Sequence, residues 1–136
     1  MATIESIYLG DLRTEAVHQL SGNKLITDAP LDNKGKGEAF SPTDLLASSL
    51  GSCMLTIMGI AAREHGLNID GATCSITKIM GSDPRRVTEV QIEFNMTQND
   101  LSEKHRSILE RSAITCPVAK SLHPDIKQII SFNYKS

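Results

Sequence analysis

Three cysteines, Cys53, Cys74 and Cys116, are the side chains in this 136-residue sequence best suited to covalent chemistry. The thiolate, not the thiol, is the nucleophile, so the question is which cysteine has a local reason to ionise. Cys116 precedes Pro117, a residue favoured at the first position of a helix, and would then be an N-cap beside unsatisfied N–H groups. The positive end of a helix dipole stabilises a thiolate at that position. Cys53 lies in Leu50-Gly51-Ser52-Cys53-Met54-Leu55, and its helical neighbours three and four residues away are Ser49, Leu50, Thr56 and Ile57. That half-apolar, half-hydroxyl setting fits a small buried hydrophobe as well as a reactive thiol, because free Cys is among the most buried residue types. Cys74 alternates with Ile76 in an extended stretch without an activating neighbour and is assigned to the core.

Other chemistries find less support. His18, His65, His105 and His123 are scattered without ligand spacing, so neither a metal site nor a cofactor is expected. Gly35-Lys36-Gly37 has too few glycines, and lacks the following Lys-Ser/Thr, for a phosphate loop. With 14 basic and 16 acidic residues dispersed along the chain and a net charge of -2, no stripe could neutralise many phosphates, and nucleic acid is not an expected partner. Met1 to Gly10 carries Glu5 and no basic n-region, and no apolar run approaches the roughly 18 residues of a membrane span, so the expected location is cytoplasmic with no membrane partner. An odd cysteine count in that setting argues against a structural disulfide framework.

The elements that must position these thiols are legible in outline. Thr3 to Leu9, Leu12 to Leu20 and Lys24 to Asp28 read as a strand meander punctuated by Gly10-Asp11 and Ser21-Gly22-Asn23, and Ala29 to Phe40 has loop chemistry. Ser41-Pro42-Thr43-Asp44 opens a helix by three rules: a Ser N-cap, Pro at the first position, and an acid that reaches back to the cap. The apolar run Leu45 to Ala62, ending near Gly66, predicts a long, largely buried central helix. Asp70 to Met80 and Val87 to Met96 follow as strands around the turn Gly81 to Pro84. A helix from the cap-like Asp100-Leu101-Ser102-Glu103 to about Ala113, a helical turn between Cys116 and Pro124, and a last strand Ile126 to Tyr134 complete the chain. The pattern is α+β, antiparallel sheets with a central helix, in one domain spanning residues 1–136.

The stretch Phe40-Ser41-Pro42-Thr43-Asp44-Leu45-Leu46-Ala47-Ser48-Ser49-Leu50-Gly51-Ser52-Cys53 resembles the central helix motif of the OsmC/Ohr family, and Cys116-Pro117-Val118 resembles its second cysteine motif. The resemblance covers nearly the whole chain in element order. It implies an intertwined homodimer in which each subunit adds strands to the other's sheets. It also implies that Cys53 attacks a small peroxide, becoming a sulfenic acid, and that Cys116 resolves it as a disulfide reduced by a thiol electron donor. That chemistry is sound on its own terms, since a neighbouring thiol protects a sulfenic acid from further oxidation.

Two positions depart from the organic-hydroperoxide members, which have an Arg in the loop before the helix and a Glu at its start. Here that loop offers Lys34 and Lys36, and the Glu position matches Thr43, with Asp44 one step later. The candidate cations for the first thiol are therefore Arg13 and Lys36, and the candidate carboxylates are Glu38 and Asp44. Asp44 reads first as a cap residue, because nine residues of helix rotate it about 180° from Cys53. A thiol peroxidase acting on organic hydroperoxides or hydrogen peroxide is the leading expectation. The alternative is a dimeric protein of the same fold that binds a small molecule in an apolar pocket near Leu46, Leu50 and Ile57, or senses redox state, without efficient peroxidase activity.

Overall fold

Strands β1 (Ile4–Gly10), β2 (Arg13–His18) and β3 (Lys24–Asp28) pair in that order as an antiparallel meander. The structure, a computed structural model, describes residues 1–98 and 100–135 and divides into two compact units, Met1–Leu46 and Ala47–Ser136. The second strand, expected from Leu12, begins at Arg13. Leu12 and Asp11 instead form the hairpin turn, both left-handed at φ 63° and 54°. A two-residue turn with positive φ at both positions matches the right-handed twist of the flanking strands, and that requirement overrides the strand preference of a leucine.

The second unit is built on a sheet ordered β4 (Thr73–Gly81), β5 (Arg86–Asn95), β6 (Lys127–Asn133). The β4–β5 hairpin is antiparallel, but β6 runs parallel to β5, so this sheet is mixed where antiparallel sheets were expected. The cause lies in the connection. Between β5 and β6 the chain passes through α2 (Glu103–Ile114) and α3 (Pro117–Ser121), a crossover long enough to bring it back to the end where β5 began.

Alternation along the strands decides which face is core. Val90, Ile92 and Phe94 of β5 are fully buried, and Phe94 stacks on Phe132 of β6 with ring centroids 5.0 Å apart. Against this unit lies the long helix α1 (Pro42–Glu64), which buries Ala47, Leu50, Gly51, Met54, Met58 and Ala62, the one-face spacing of an amphipathic helix. Its other face is not buried as the apolar sequence suggested: Ser49, Ser52, Thr56 and Ile60 are exposed. By length and composition alone α1 could cross a membrane, a test that the core helix of a folded domain also passes. Gly51 allows α1 to approach β4 closely, since a Cβ there would fall 2.5 Å from Ile76 Cδ1 and 3.3 Å from Cys74 Sγ. At its C-terminus Leu67 N donates to Ala62 O at 2.7 Å and Gly66 N to Arg63 O at 3.3 Å, with Gly66 left-handed at φ 67°, so a Schellman motif ends the helix at the glycine the sequence offered.

Candidate functional site

Two of the three cysteines meet in the second unit. Gly51 faces Cys74 and Ile76, and Cys53 lies two residues on, about 200° around the helix, so it points away from the strand that Cys74 occupies. Cys53 is half-buried. Cys116 is the N-cap of α3, in extended conformation at φ -65° and ψ 157°, with Pro117 in the first turn as the dipeptide predicted. Its backbone is held on both sides: Cys116 N donates to Ala113 O at 3.2 Å and Lys120 N donates to Cys116 O at 3.1 Å. Cys53 lies close enough to Cys116 to raise its thiol pKa, and no disulfide joins them.

The electrostatics of Cys116 correct the sequence reading. Burial, with 1% of the residue exposed, pushes its pKa above the usual thiol value, and the sulfur of Cys53 pushes it further the same way. The amides of Ala119 and Val118 pull in the opposite direction, as a helix start should, but the sulfur makes no regular cap hydrogen bond and desolvation outweighs them. Cys116 therefore keeps its proton, and a thiolate at α3 is not its resting form. Cys74 is raised too, by burial beneath α1.

The charged candidates gather in the first unit around a residue that the sequence did not single out. Arg13 Nε donates to Asp28 Oδ1 at 2.7 Å and its Nη2 to Asp28 Oδ2 at 2.8 Å, while Nη2 also donates to Glu38 Oε1 at 2.9 Å. The backbone N–H of Glu38 donates to Asp28 Oδ2 at 3.0 Å. The Arg13 fork holds the Asp28 carboxyl below its usual range, and the Lys36 charge adds a smaller pull in the same direction. The sequence reading places Asp28 only at the end of the strand Lys24 to Asp28, and no local signal shows that its side chain is 1% exposed. Asp44 is not among this group. Ser41 N donates to its Oδ2 at 3.0 Å and Asp44 N donates to Ser41 Oγ at 3.0 Å, the reciprocal capping box expected at the start of α1.

The second unit's surface also carries a groove of about 490 Å³ lined by residues that include Thr56, Ile60, Arg63 and Asp70. Leu50, placed in a pocket wall by the binding-protein reading, is fully buried in the core instead.

An α+β chain that brings a helix cysteine close to the N-cap cysteine of a later helix defines a protein with two neighbouring cysteines. The OsmC-like protein family model matches residues 35–131, and the chain belongs to that family. Among solved structures it is similar to an osmotic stress induced and detoxification response protein, so named as a candidate, from Psychrobacter arcticus, at 56% identity and TM-score 0.94, covering 98% of this chain and 96% of that one. An OsmC-like protein from Mycoplasma pneumoniae has the same fold at 16% identity and TM-score 0.80, over 98% of this chain and 96% of the other. So does an organic hydroperoxide resistance protein OsmC from Legionella pneumophila, at 14% identity and TM-score 0.72, over 98% of both chains. Nothing among curated proteins matches the chain.

Proposed function

We propose that this protein is a thiol-dependent peroxidase that reduces organic hydroperoxides or hydrogen peroxide. The Cys53 thiolate attacks one peroxide oxygen, the O–O bond breaks, and an alcohol or water leaves as Cys53 becomes a sulfenic acid. The Cys116 thiol then displaces the sulfenic oxygen as water and closes a Cys53–Cys116 disulfide, which a thiol electron donor reduces to restore both thiols. Arg13 and Lys36 remain the two candidate cations for the thiolate, the first a planar fork and the second a point charge. Glu38 and Asp28 are the carboxylates that hold Arg13. Asp44 belongs to the helix cap.

The observation that carries this reading is the closeness of Cys53 and Cys116. A resolving thiol must already lie within reach of the sulfenic acid, or over-oxidation competes. The Legionella protein of the same fold, described as conferring organic hydroperoxide resistance, supports peroxide as the oxidant. The acting form in this reading is a cytoplasmic homodimer, and β1 leaves Ile4, Ile7, Tyr8 and Leu9 each more than half exposed for association.

The test is non-reducing intact mass and peptide mapping after one equivalent of an organic hydroperoxide. The expected result is a rapid loss of two hydrogens mapped to a Cys53–Cys116 link, absent in Cys53→Ser and in Cys116→Ser. Slow oxidation in which Cys74 reacts as readily would sink the peroxidase reading in favour of a binding protein.

A further inference from the structure

The helix that begins at Cys116 is too short to hold its own position. α3 spans five residues, little more than one turn, and a helix of that length is not stable in water without docking. Val118 and Ala119 are half-buried and the other three residues are exposed, so burial within α3 supplies little of that docking. At its start, Cys116 N donates to Ala113 O of α2 at 3.2 Å. Three carbonyls are satisfied locally: Lys120 N donates to Cys116 O at 3.1 Å, Ser121 Oγ to Pro117 O at 2.7 Å, and Leu122 N to Val118 O at 3.1 Å. The carbonyl of Ala119 belongs to the last turn, where a helix leaves its acceptors without internal donors. It is met from another element, by Gln128 Nε2 of β6 at 3.1 Å.

Gln128 alternates with Ile130 and Phe132 on the more buried face of β6, and Phe132 stacks on Phe94 in the core. An amide on that face needs a hydrogen bond merely to offset its desolvation, so an apolar residue would serve stability as well. What the amide adds is a fixed link between a strand in register with β5 and a helix that cannot fix itself. Ala119 follows Cys116 by three residues, within one helical turn, so a displacement at the Ala119 carbonyl is passed directly to the thiol.

We infer that Gln128 is the positioning residue for Cys116, docking α3 on β6 so that the thiol stays within closing reach of Cys53. The inference rests on the resolving role proposed above for Cys116. All the groups it uses lie in the second unit.

The test compares full-length wild type with Gln128→Met, which keeps the length of the side chain and removes the donor, and with Gln128→Glu, which sets an acceptor against the carbonyl. Mass spectrometry after one equivalent of cumene hydroperoxide follows loss of the Cys53 thiol and then closure of the Cys53–Cys116 disulfide. With excess hydroperoxide it also follows the share of Cys53 that a second peroxide molecule carries from sulfenic to sulfinic acid. Loss of the Cys53 thiol should keep its wild-type rate. Closure should slow by about tenfold to a hundredfold in both variants, the scale of a misplacement of up to about 1 Å, and the sulfinic share should rise with it. A further readout needs no peroxide: in buffers of reduced and oxidised glutathione, the disulfide equilibrium gives the effective concentration of one thiol for the other, which should fall by a similar factor. Phe132→Leu, which weakens the same strand without touching α3's hydrogen bonds, should close at the wild-type rate.

Wild-type closure and equilibrium in Gln128→Met and Gln128→Glu would make the bond structural only and overturn the inference, and so would equal slowing in Phe132→Leu. If wild type forms no Cys53–Cys116 disulfide with the hydroperoxide, the peroxidase reading falls. The glutathione equilibrium then decides the positioning role separately: a fall in Gln128→Met sustains it, and an unchanged value removes it.

Discussion

Cys116 lies close to Cys53 from the N-cap of a five-residue helix, buried to 1% exposure, while Cys53 on the long helix stays half-buried. The asymmetry fits the proposed roles: the more enclosed thiol holds its proton, and the more open one is left to meet an oxidant.

Cys116 should therefore behave as a reluctant nucleophile. In Cys53→Ser, burial still raises its pKa, so alkylation should be slow at neutral pH, with a midpoint above the roughly 8.5 of an ordinary thiol. A midpoint below that value in a rate-against-pH series would contradict the burial argument. The same shift has a stability consequence. Between the unfolded thiol pKa and the raised folded one, the unfolded chain has released its proton and the folded chain has not, so stability is intact below that window and falls as pH rises through it. Wild type should accordingly lose more stability toward alkaline pH than Cys116→Ala, measured by urea unfolding.

The β1 strand should govern association. Ile7 is 59% exposed and Leu9 is 51% exposed, and apolar side chains grouped on one strand face and open to water mark a surface for association. Wild type should sediment as a dimer at micromolar concentration. Ile7→Lys with Leu9→Lys should shift it to monomer and diminish peroxide turnover with it, and a wild-type monomer under those conditions would refute the dimeric reading.

Gly51 should resist a side chain. Alanine improves helix propensity by about 1 kcal/mol, but its Cβ would meet Ile76 Cδ1 at 2.5 Å, and overpacking costs about 1–3 kcal/mol. Gly51→Ala should thus be destabilised by up to about 2 kcal/mol in urea unfolding. Ile76→Val, which removes the offending methyl, should recover most of that loss when combined with it. A stabilised Gly51→Ala would show that β4 yields more readily than the close approach implies.

The residues that were read correctly share one property: their partners are near in sequence. Ser41, Pro42 and Asp44 specify a helix start within four positions, and the box they form is present bond for bond. Gly66 supplies the left-handed residue that ends α1, and Val90, Ile92 and Phe94 alternate into the core as period-two patterning requires. Leu12 shows where local reading strays even at short range, because an apolar residue beside a strand looks like strand until the turn geometry takes it.

The rest depended on closure of the chain over long distances. That β6 runs parallel to β5 follows from the path of the crossover, which no side-chain pattern in β6 encodes. Asp28, the last residue of the expected strand Lys24 to Asp28, becomes a buried clamp only when β2 lies beside it. Cys116 looked ionisable from its place before Pro117, but its pKa is set by desolvation, a property of everything packed around it. Sequence alone determined the element types, the caps and the two cysteine motifs, because those obey rules spanning a few residues. Which cysteine meets which, which carboxylate holds Arg13 and which thiol keeps its proton were decided by tertiary structure, because hydrogen bonding and burial depend on neighbours in space.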